Sequence, residues 1–85
     1  MAKIMLSLRH KPEEYDVTVR IYDDEGMLVE EKKYESIKQV VIRARETRIS
    51  RQIAPSPIVL VIDVDEPKVE LRGENILVIG GRACQ

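Results

Sequence analysis

Residues 36 to 46 read Ser-Ile-Lys-Gln-Val-Val-Ile-Arg-Ala-Arg-Glu, and whether they form a helix or a strand decides the fold. Ser36 stands three residues before Gln39, the spacing of a capping box at a helix N-terminus. Ile37, Val40, Val41 and Ala44 recur at intervals of three and four and would line one helical stripe. At 100° per residue Arg48 and Arg51 would fall on that stripe too, so the spacing predicts a helix ending near Glu46 or Thr47. Beyond it, Pro55 and Pro57 force extended geometry around Ser56 and close a loop.

The segments on either side of this stretch alternate with period two. Ile4, Leu6 and Leu8 share one face of a segment from Lys3 to Arg9, and Val17, Val19 and Ile21 one face of a segment from Asp16 to Tyr22. Asp23-Asp24-Glu25-Gly26 supplies a turn, and Met27 to Tyr34 returns as the partner strand. Ile58 to Ile62 is apolar on both faces, as a central strand would be, and Asp63 to Pro67 ends it. Lys68 to Arg72 alternates, Gly73-Glu74-Asn75 turns, and Ile76 to Ile79 runs back as the closing strand.

The expected order is therefore β-β-β-α-β-β-β, an α+β fold with a mainly antiparallel sheet of five to six strands and one helix. A single domain over residues 1–81 with a short tail over 82–85 is expected, because 85 residues bury only about 60 to 65% of the unfolded surface and support one core. Phe and Trp are absent, so that core is assembled from Ile, Val and Leu. One helix of about three turns covers only part of one sheet face. Since 58–62 and 76–79 are apolar on both faces, either barrel closure or a second copy is expected to cover the other face, and a homodimer is the preferred reading.

Composition excludes several classes. With 44% hydrophobic and 34% charged residues the chain is neither low-complexity nor disordered. The apolar run 58–62 is far short of the roughly 18 to 20 residues that cross a bilayer. Met1-Ala2-Lys3 leads into an alternating segment without a signal-peptide core, and a single cysteine suits a reducing compartment, so a cytoplasmic location is expected.

Charge is segregated. Residues 36–52 carry Lys38, Arg43, Arg45, Arg48 and Arg51 against Glu46, a net +4, while residues 1–35 carry −3 and 53–85 carry −2. Arg43, Arg45, Arg48 and Arg51 are therefore the candidate partner-binding residues, since guanidinium groups pair bidentately with carboxylates and phosphates. A pI near 5.8 and only three tyrosines argue against nucleic acid, which needs a basic surface with stacking platforms. Asp63 and Asp65 are placed to share one side of a strand end where a divalent cation could sit, but carboxylates ending an apolar strand also protect it from aggregation, and no metal or cofactor is assigned. His10 has no triad partner at a telling spacing, and Cys84, beside Arg82, has no resolving cysteine.

The reading is a non-enzymatic interaction, adaptor or inhibitor module, homodimeric, which meets an unidentified protein partner through its arginine segment or a sheet edge. The alternatives are a nucleic-acid module and a carrier. Hairpin, helix, further strands and Gly80-Gly81 resemble the layout of the ubiquitin-like β-grasp carriers. That resemblance implies activation of a terminal glycine carboxylate once residues 82–85 are removed. The chain differs from the carriers in its extra N-terminal strand and in having no flexible arm before the glycines.

Overall fold

The computed structural model describes residues 2–44, 46–51 and 58–81, with 46–51 described by its backbone. The expected α+β fold is corrected: the described residues contain strands and no helix, arranged in two sheets. The strands are β1 (Ala2–His10), β2 (Tyr15–Tyr22), β3 (Leu28–Ile37), β4 (Gln39–Arg43), β5 (Glu46–Arg51), β6 (Ile58–Val64), β7 (Lys68–Arg72) and β8 (Ile76–Gly80). One sheet has the order β3-β2-β1-β6-β5 and is antiparallel throughout. The other is β4-β8-β7, in which β4 runs parallel to β8.

The helix fails at its first residue. Ser36 holds φ at 61°, the left-handed region, which no helix start uses. Its hydroxyl donates to Glu14 Oε1 at 3.2 Å instead of capping its own segment. The N–H groups of Lys38 and Gln39, which a helix would leave for a cap, both donate to the Asn75 carbonyl, at 2.9 and 3.3 Å. That carbonyl catches the chain as it leaves the first sheet and starts the second. Val40-Val41-Ile42 then extends as β4, and three successive β-branched side chains favour that choice because a helix restricts their χ1 rotamers. The segment expected to be a fraying turn and loop likewise forms β5 as far as Arg51; the Pro55-Ser56-Pro57 bend lies outside the described residues.

The register explains which residues are buried. Ile4 stands opposite both Ile21 and Ile62, and Leu6 opposite Val19 and Leu60, so one face of the larger sheet is a continuous aliphatic surface. Leu77 and Ile79 of β8 join the same core. Val40, Ile42, Ala44 and Val69 pack against it from the smaller sheet and its border. The second sheet does the covering assigned to the helix. The smaller sheet also changes the role of Ile76 to Ile79: β8 is the middle strand of its sheet, not a closing one. Val78, on the side away from Leu77 and Ile79, is only 9% exposed, flanked in the register by Val41 and Glu70. On the outer side of the larger sheet, Val59 and Val61 of β6 remain half-exposed beside Ser7 and Met5.

Gly80 is buried at the end of β8 opposite Arg43. A Cβ there would collide with the Arg43 carbonyl oxygen. At Gly81 a Cβ would lie 2.6 Å from the Asp65 carbonyl oxygen. Both glycines are where another backbone passes too close for any side chain.

Candidate interaction edge

The fold disperses the arginine segment. Arg43 is exposed at the end of β4 in the smaller sheet. Arg48 and Arg51 belong to β5 in the larger sheet, opposite Val61 and Ile58. The stripe that would have gathered them required a helix. Arg45 lies outside the described residues.

Asp63 is the penultimate residue of β6, opposite Lys3 on β1 and Glu46 on β5, whereas Asp65 lies beyond the strand end. No group of three or more metal-ligating side chains occurs among the described residues. The His10 and Tyr15 rings lie 5.1 Å apart at 49°, a packing contact between cross-strand neighbours. Cys84 lies outside the described residues. No helix among the described residues is long and apolar enough to cross a membrane.

What the sequence did not single out is the edge of β3. This strand borders the larger sheet, and no strand among the described residues pairs with its far side. The turn before it is tightly built: Asp23 Oδ1 accepts from the N–H groups of Glu25 and Met27, each at 2.9 Å, and Gly26 takes φ 83°. Immediately after it come Met27, Leu28 and Val29, exposed by 63, 51 and 63%. Val29 also lines an open cleft of about 440 Å³ with Ala2, Ile21 and Pro67 on its apolar side and Asp23, Asp24 and Glu25 among its polar residues.

Further along, β3 carries Glu30, Glu31, Lys32 and Lys33 in succession. Arg20 Nε donates to Glu31 Oε2 at 2.7 Å across the β2–β3 ladder, and Lys32 Nζ lies 3.2 Å from Glu30 Oε1. The hydrogen bond from Arg20, and then its charge, hold the Glu31 carboxyl below its ordinary value, with partial desolvation opposing. A depressed carboxyl contributes stability that is complete above its unfolded value, 4.5 for a glutamate, and is lost as pH falls through the folded value. Glu31→Gln is therefore expected to flatten the acid limb of the stability curve between about pH 5 and 3, measured as urea midpoints against pH. An unchanged limb would show that the pair contributes nothing in solution, and the effect is small in any case because both groups are exposed.

Comparison with protein-family models, with curated proteins and with solved structures finds no match for this chain.

Proposed function

We propose that this chain is a non-enzymatic protein-interaction module whose working surface is the free edge of β3. The observation that carries this reading is the tract Met27-Leu28-Val29, more than half exposed, which leads into a ten-residue edge strand from Leu28 to Ile37. Edge strands offer unpaired N–H and C=O groups to an incoming strand, and the side chains they display set which strand is accepted. The cleft at the turn end of β3 adds an apolar hollow with three acidic neighbours. An extended peptide with an aliphatic residue and a lysine or arginine at that end fits both.

The test is selection from a random peptide library displayed on phage. Recovered peptides are expected to be β-branched and to carry basic residues at one end. They are expected to lose about tenfold or more in affinity on Leu28→Asp or Val29→Asp, since a new carboxylate on the edge meets both an apolar contact and existing negative charge. Recovery of no peptide, or of peptides indifferent to both substitutions, would overturn the reading. The carrier alternative gains no support from the geometry: Gly80 is buried in a strand with the Arg43 backbone against it, and a transferable glycine needs a free arm. The nucleic-acid alternative loses its basic stripe with the helix.

A further inference from the structure

We infer that the strand accepted by the β3 edge is β3 of a second copy, paired antiparallel about a two-fold axis at Glu31. This deepens the interaction-module reading and rests on it. An axis between two antiparallel strands of one continuous sheet stands perpendicular to the sheet and keeps each residue on its own face. Facing residues in an antiparallel ladder share a face, so the axis must pass beside a residue that faces itself.

Centred on Glu31, the register sets Glu30 against Lys32 of the second copy and Lys32 against its Glu30. β3 bulges at Val29, where Tyr22 and Ile21 pair with Leu28 and Glu30, so Leu28 and Val29 together come against Lys33 of the second copy, whose aliphatic stem can cover them. Charges attract at both symmetric positions. The only like-charged facing pair is Glu31 with itself, and Glu31 is the residue whose charge Arg20 already neutralises at 2.7 Å.

The neighbouring registers are compensated less closely. Centring on Lys32 or on Glu30 sets like charges together at residues whose β2 neighbours, Val19 and Ile21, are apolar, and the compensation left is the Glu30–Lys32 contact along the strand at 3.2 Å, longer than the 2.7 Å from Arg20 to Glu31. Charged edges ordinarily repel other strands; here the order Glu-Glu-Lys-Lys, with Arg20 behind its second residue, makes the edge complementary to itself.

Sedimentation equilibrium of the full chain tests this with a charge exchange. The wild type is expected to approach twice its 9.8 kDa chain mass in the micromolar range. Glu30→Lys and Lys32→Glu should each weaken the dimer about tenfold or more, because each converts two attractive pairs to repulsive ones. The double variant, with the charges exchanged, should restore the dimer. Thermal melts of each variant establish that the exposed substitutions leave the monomer folded. A chain monomeric at all concentrations, a dimer insensitive to the single variants, or a double variant that stays dissociated overturns the inference. The peptide selection, repeated on Lys32→Glu so that self-pairing does not compete, separates the two readings. Selected peptides that bind β3 of a monomeric chain leave the module standing and remove the self-pairing.

Discussion

Gly80→Ala is expected to lower the melting temperature by about 12 to 24 °C, the consequence of a loss of about 3 kcal/mol in a domain of this size. The position a Cβ would take is already filled by the Arg43 carbonyl oxygen. A flexible side chain would swing aside, but a carbonyl bonded into a strand cannot move without the strand. β4 and β8 would have to separate at their shared end, where Ile42 and Ile79 are register partners that both contact the core. A chain of 85 residues has about 4 to 13 kcal/mol of stability in total, so the variant loses a large fraction of it. Gly73→Ala is the control. Gly73 has φ +64° with nothing within 4 Å of a Cβ, so alanine there meets only left-handed backbone strain of about 1 to 2 kcal/mol. If Gly80→Ala melts with or above Gly73→Ala, β4 does not lie against β8 as described.

The same glycine shows how far the sequence could be read. Ile76 to Ile79 was legible as a strand, as were β1, β2, β6 and β7, each within about two residues of its ends, because an aliphatic face recurs every second residue. The turns at Asp23 to Gly26 and Gly73 to Asn75 followed from residues that tolerate positive φ. β4 was not legible. Ile37, Val40, Val41 and Ala44 satisfy a helical period, while Val40, Ile42 and Ala44 satisfy a period of two, and the segment is too short for periodicity to choose. The run of three β-branched residues was the local signal against a helix. The decisive causes were distant: the Asn75 carbonyl and the flank of β8, neither visible from within the segment.

The candidate site was less legible than the fold. An edge is a property of sheet order, and Glu30 to Lys33 would read the same in a hairpin covered by a third strand. Once β3 is at the border, the charged run and the exposed Leu28 acquire a meaning that local pattern could not supply. The arginines show the converse: a charge count of +4 over residues 36–52 is a fact of sequence. Whether it forms one surface depends on a helix that the described residues replace with two strands in different sheets.

Ile37→Ala is the second large effect, about 3 kcal/mol and again about 12 to 24 °C in melting temperature. Ile37 is 1% exposed at the corner where the chain leaves β3, and the Asn75 carbonyl fixes the next two residues. Truncating it leaves a cavity that the corner cannot close, because Ser36 is already at φ 61° and the following backbone is tied. Two companions separate strand from helix. On a strand that puts Val40 and Ile42 toward the core, Ile42→Ala should cost about 1 to 2 kcal/mol and Val41→Ala less than about 1 kcal/mol. On the helical stripe the order reverses, since Val41 lies 40° from Ile37 around a helix and Ile42 lies 140° from it. Urea midpoints of the three variants decide the matter. A Val41→Ala loss larger than that of Ile42→Ala would restore the helix and remove β4, and with it the backbone contact that makes Gly80 irreplaceable.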